Sequence, residues 1–322
     1  WWPRGERTAD LVATELARHV SDIDARLESL VTLPPGTFPD QIASAAAPLQ
    51  DGALLVAIDQ EGVHAHPRRR LLYYPWVSTA AEPPGTVFAR GESLEFRDRD
   101  YEAAIREFRR LARASDESVR AGGLVRLARV LRKAGRADEA LDAYAQLASL
   151  HSAAVGGLPA DLVARAAHLP ILQQLARLDP LHREASRLRS DLNSGQWRIT
   201  RAAYQFYGGE VERWLPDGGR PADDPTPSIL SLAEGAEALW QLWQSPAAEH
   251  RRAGQQTISA LPEPVFLRWR GTEDRLVGFV ASRTFLEAAW TRDLTGRLAQ
   301  NGIAFALSDA EGNSILTPLE RP

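Results

Sequence analysis

The chain has no cysteine and no methionine. The lack of cysteine excludes disulfides, thiolate metal sites and a cysteine nucleophile. The lack of methionine, even at position 1, leads us to expect that the start lies inside a longer natural chain. No apolar run reaches the ~20 residues needed to cross a bilayer, and no signal-peptide pattern is visible. An excess of one charge is also missing. The 38 basic and 42 acidic residues leave a net −4, which gives no footing for general nucleic-acid binding. There is no Gly-x-Ser-x-Gly elbow, P-loop or His-Glu-x-x-His, and the kinase signatures are absent. Ser, His and Asp occur, but no local motif joins them. We therefore expect no enzyme activity and no cofactor in this segment.

What is present suits a folded protein of two or three modules: 322 residues, 44% of them hydrophobic. The opening "WWPRGER" fits the edge of a membrane, where Trp sits at headgroup level; the plain alternative is a loop. Residues 8–31 carry Leu11, Val12, Leu16, His19, Val20, Ile23, Leu27, Leu30 and Val31 at three- and four-residue steps, which predicts one long amphipathic helix. "LPPGTFP" ends it. "ALLVAIDQEGVHAHP" then reads as a β-hairpin, with a buried strand, a turn at Asp59–Gly62 and a return strand. A second phrase of the same form, "IAFALSDAEGNSILTP", stands near the end, with Asp309 in the place of Asp59.

Between the two phrases the chain turns helical. "RDYEAAIREFRRLARAS" and "GRADEALDAYAQLASL" each place an Ala four residues before an aromatic, Ala104 with Phe108 and Ala140 with Tyr144. Small Ala lets helices approach and the aromatic fills the groove beside it. This region, 90–195, resembles the tetratricopeptide repeat, whose helix pairs recur at about 34 residues. Residues 196–254 read as aromatic-rich helices around a Pro/Gly/Asp loop, "PDGGRPADDPTPS". "QTISAL", "PVFLRWRG" and "LVGFVAS" read as three strands. "RTFLEAAWTRDLTGRLAQNG" reads as a helix.

The order "LVGFVAS-RTFLEAAWTRDLTGRLAQNG-IAFALSDAEGNSILTP" resembles the extracytoplasmic PAS-like sensors called Cache domains, and the long helix before "LLVAIDQEGVHAHP" resembles their opening. The resemblance covers about 8–78 and 256–322. It implies an α+β fold, mostly helical, with a PAS-like antiparallel sheet and a tetratricopeptide-like helical insertion. The implied organisation is a membrane-proximal helix and linker (1–50), two strands (51–89), the repeat-like region (90–195), the aromatic helices (196–254), three more strands (255–282), and the start of a second, incomplete module (283–322). The implied role is the periplasmic sensor segment of an inner-membrane signalling protein, of the histidine-kinase type in a two-component system. It would take an unknown small molecule or a protein partner, and a homodimer is one arrangement we consider. The rival expectation is a soluble repeat-type interaction scaffold.

Candidate ligand contacts are Arg70, Tyr74 and Trp76 in "PRRRLLYYPW", and Trp197, Tyr204 and Tyr207 on one face of the expected aromatic helix. Arg68, Arg69 and Arg70 suit an anion, and an aromatic face suits a ligand or partner. The plain alternatives are a solvated basic turn and a packed core. Phe206, Trp214, Trp240 and Trp243 carry the same two readings. His64 and His66 point to one face of a strand, but two ligands do not make a metal site, so we expect none. The Tyr, Arg and Trp cluster of amino-acid-sensing relatives is not found.

Overall fold

The computed structural model describes residues 2–34, 41–44, 49–78, 82–215, 224–246, 248–290, 306–308, 312 and 314–316. The fold is α+β and mostly helical, and its largest sheet has five antiparallel strands. The chain divides into two compact units. One joins residues 1–76 with 225–322, and the other holds residues 77–224. No helix among the described residues is long and apolar enough to cross a membrane.

In the first unit, α1 runs from Trp2 to Val31. It starts earlier than the periodicity predicts. Pro3 does not stop it, because the first turn of a helix has no intrahelical use for the N–H that proline lacks. Strands β1 (Ala53–Asp59) and β2 (Val63–His66) form the predicted hairpin. Asp59 Oδ1 accepts from the backbone N–H groups of Glu61 (2.9 Å) and Gly62 (3.0 Å), so Asp59 holds the turn.

In chain order the helices of the second unit follow, then the first unit resumes with α9 (Pro227–Gln244), α10 (Ala248–Arg252), β5 (Ala253–Ile258), β6 (Val265–Gly271) and β7 (Arg275–Ser282). The sheet order is β2-β1-β7-β6-β5. Strand β5 begins three residues before the predicted "QTISAL", where Ala253 pairs with Arg270. Strands β1 and β7 lie inside the sheet and are buried on both faces, which is why they read as unbroken apolar runs rather than as alternation.

Helix α1 covers one face of the sheet. Its Ile23, Leu27 and Leu30 share a core with Leu55, Ala57, Phe266, Val277 and Phe279. Helix α9 covers the other face at close range. A Cβ on Gly235 would come within 2.7 Å of Val280, and one on Gly278 within 2.4 Å of Leu239. After β7, α11 (Arg283–Phe285) passes into a π-helical turn, Leu286–Trp290; the rest of the predicted helix lies outside the described residues. In the second phrase, β8 (Leu307–Ser308) pairs with β9 (Ser314–Leu316), and Asp309 lies outside the described residues.

The second unit begins with α2 (Ala89–Glu92), which leads into a π-helical turn, Ser93–Arg97. Helices that each pack on the next follow: α3 (Tyr101–Leu111), α4 (Glu117–Lys133), α5 (Ala137–Ala148), α6 (Ala160–Gln174), α7 (Leu178–Asn193) and α8 (Arg201–Glu212). A two-residue ribbon, β3 (Ala154–Val155) with β4 (Leu158–Pro159), joins α5 to α6. Ala104, Phe108, Ala140 and Tyr144 are all buried in one core, as the Ala-to-aromatic spacing requires. Asp100 and Asp116 start α3 and α4 by accepting from Ala103 N and Val119 N. Helix α8 starts at Arg201 because Thr200 caps it, its Oγ1 accepting from Ala203 N. The predicted helix began at Gln196, so Trp197 precedes the helix instead of sharing a face with Tyr204.

Candidate functional site

Of the residues singled out in the sequence, three fall in the first unit. Arg70 is committed to its own chain. Its Nη1 donates to the carbonyls of Gln50 (2.5 Å) and Ala53 (2.8 Å), and its Nη2 donates to Asp51 Oδ1 (2.8 Å). These bonds tie the exit of β2 to the entrance of β1. Tyr74 is buried. Its neighbour Tyr73 donates to Glu234 Oε1 on α9 at 3.0 Å. Trp76 stacks on Trp240 of the same helix, with centroids 6.1 Å apart and planes 9° from parallel. The segment after β2 is thus held against α9.

The other three fall in the second unit, where they share a core with Leu188, Leu192 and Val211. Trp197 is buried, and its Nε1 donates to Asp161 Oδ2 at 2.8 Å. Asp161 Oδ1 also accepts from Leu162 N at 2.9 Å. Tyr204 donates to Asn193 Oδ1 at 3.0 Å, and Tyr207 meets Phe206 edge-on at 5.2 Å. Burial pushes both tyrosine hydroxyls above their ordinary pKa. Phe206 itself is 61% exposed. The six predicted residues therefore fall into two trios, one in each unit. His64 and His66 pair with Ala57 and Leu55, and no group of three metal-ligating side chains occurs among the described residues.

Sequence reasoning missed the seam between α1 and β6. Arg268 grips Asp24, with Nε on Oδ1 at 2.6 Å and Nη2 on Oδ2. One turn further along α1, Glu28 Oε2 lies 3.3 Å from Arg270 Nη1. The signal was present as Asp24-x-x-x-Glu28 on a helix and Arg268-x-Arg270 on a strand. A helix repeats its face every three to four residues and a strand every two, so both pairs align when the two elements lie together. The hydrogen bond from Arg268 holds the Asp24 carboxyl below its ordinary pKa. Burial opposes this, and the charges of Arg268 and Arg270 add to it.

Two hollows flank the seam. One, of about 160 Å³, is lined by His19 and Asp22 of α1 with Phe279, Phe285 and Trp290; there His19 stacks on Trp290 at 5.7 Å and 3°. The other, of about 450 Å³, lies at the C-terminal end of α1 and is lined by Glu28, Arg251, Arg252, Arg270 and Glu273. The first is an aromatic slot and the second a basic one. Each is bounded by α1, so an occupant of either would touch that helix. Compared with known proteins, the chain matches no family model, no curated protein and no solved structure.

Proposed function

We propose that this chain is the extracytoplasmic sensor segment of a bacterial membrane signalling protein, of the histidine-kinase type, built on a PAS-like module. The observation that carries this reading is the strand order. Within the five-stranded sheet the first strand lies between the second and the last, and the first two strands are separated in sequence from the last three by a long helical segment. In the sensors that the sequence resembles, two strands, then helices, then three strands make the module, and a long first helix leads to the membrane.

The seam supplies a physical route for a signal. A ligand acts on such a device through its different affinity for two arrangements, with coupling typically of ~1–3 kcal/mol. Here α1 is fixed to the sheet by two ion pairs and one apolar stripe, so a shift of β6 is felt by α1. The test is the parent gene. The reading requires an apolar span of about 20 residues upstream of residue 1, and a parent gene without one overturns it.

A second reading, a repeat-type interaction scaffold, has its own support. Arg126 with Glu92, Arg129 with Glu95 and Arg136 with Glu102 are hydrogen-bonded at one constant separation of 34 residues. That is the period of stacked helix pairs. Crosslinking of the intact chain to a purified partner separates the two readings. Crosslinks confined to 90–195 favour the scaffold, and crosslinks confined to the sheet unit favour the sensor.

A further inference from the structure

The basic hollow at the end of α1 holds chemistry that neither the core nor the seam uses up. Arg251 and Arg252 come from α10, and Arg270 comes from the end of β6. The last residue of β6 brings the two elements together, since a Cβ on Gly271 would lie 2.4 Å from the Arg251 carbonyl oxygen. The Arg251 guanidinium stands 5.6 Å from the Trp243 ring centroid. Arg251 Nε and Arg270 Nε are both buried, and among the described residues neither has a hydrogen-bond partner. Buried N–H groups normally have acceptors, and leaving one unmade is costly.

Charge points the same way. Three arginines and two glutamates, Glu28 and Glu273, line the hollow. Glu28 engages Arg270 loosely, at 3.3 Å, with its side chain 58% exposed. A guanidinium fork takes two oxygens of one anionic group, and three guanidinium groups offer more donors than two carboxylates can accept. The volume of about 450 Å³ lies within the range of small-molecule sites.

We infer that this hollow binds a small dianion, of the phosphate-ester or dicarboxylate type, which takes Arg270 from Glu28. The second consequence is mechanical. The Glu28–Arg270 pair is one of the two that join α1 to β6, so occupation exchanges a contact of α1 for a contact with the ligand. The binding step rests on the geometry of this hollow and not on the sensor reading, so either can fail without the other.

The test titrates the whole 322-residue chain with inorganic phosphate and, separately, with malonate. Chloride sets a constant ionic strength, and calorimetry and thermal unfolding give the readouts. At least one anion should bind with a Kd below about 10 mM and raise Tm by mass action. Binding by phosphate alone assigns a phosphate ester, and binding by malonate alone assigns a dicarboxylate. Arg251→Gln should weaken binding by about tenfold or more. Arg252→Gln, at a more exposed position, makes the same test if Arg251→Gln does not fold. Glu28→Gln should bind the anion more tightly, because the competing carboxylate is gone. The proposal is overturned if neither anion binds, if both arginine variants bind like the parent, or if Glu28→Gln binds no better.

Discussion

Arg268 on β6 and Asp24 on α1 are 244 residues apart and meet in a two-pronged ion pair, with Nε 2.6 Å from Oδ1. Both side chains are about four-fifths covered. The pair fixes the rotation of α1 on the sheet, which apolar contacts alone leave free to slide. Asp24→Asn should therefore cost about 1–3 kcal/mol, the usual loss for a charge-assisted bond that leaves its partner unmatched. Denaturant unfolding of Asp24→Asn, Arg268→Gln and the double variant measures it. If the two single losses simply add, the pair carries no coupling and the argument fails.

The same pair predicts a pH dependence. Asp24 is held below its ordinary pKa by the Arg268 hydrogen bond. Glu95, whose side chain is wholly buried, is also held low: burial alone would raise it, but its hydrogen bonds to Arg129 and Lys133 and their charges outweigh this. A carboxylate with a depressed folded pKa contributes stability above its unfolded pKa and loses it as pH falls through the folded value. Stability should be level above about pH 5 and fall steadily below it. In Glu95→Gln the acid slope should be shallower, and an unchanged slope would count against the assignment.

Helix ends supply a third prediction. Helices α4 and α6 both end with a residue in the left-handed region, Gly135 at φ 75° and Ala176 at φ 54°. The following N–H groups reach back alike, Arg136 to Leu131 O and Arg177 to Leu172 O, each at 2.9 Å. Alanine is strained where glycine is not. Ala176→Gly should raise stability by about 1 kcal/mol, and Gly135→Ala should lower it by about as much. Thermal melts of the two variants should shift in opposite directions.

The approach of α9 to the sheet gives a fourth. Gly235 faces Val280, Leu267 and Val265, with no room for a Cβ. Gly235→Val should lower stability by about 1–3 kcal/mol through overpacking, despite its greater apolar area. A variant as stable as the parent would show that α9 does not pack this closely.

The aromatic core of the second unit gives a fifth. Trp197→Phe keeps a ring but strips the buried Asp161 of its indole donor, which should cost about 1–3 kcal/mol. Phe206→Ser, at an exposed position, should change stability by no more than about 0.5 kcal/mol. The reverse order would mean that the indole is free for a ligand and that the Phe206 ring is packed.

Sequence alone determined the elements whose signal is local. The apolar runs of β1, β6 and β7, the turn at Asp59, the amphipathic stripe from Leu16 to Val31, and the paired Ala and aromatic positions all rest on periodicity or turn chemistry within a few residues. Other features were decided only when the chain folded. Trp197 reads as part of a helix until Thr200 caps that helix and Asp161 takes its indole N–H. Arg70 reads as an anion contact, and only the folded chain shows that Gln50, Asp51 and Ala53 take three of its donors. Arg268 and Arg270 have no evident partner within "PVFLRWRG", and α1 brings Asp24 and Glu28 to them. The physical reason is the same in each case. Backbone preference is set by near neighbours, whereas the partner of a charged or hydrogen-bonding side chain is chosen by proximity in space, which tertiary packing alone supplies.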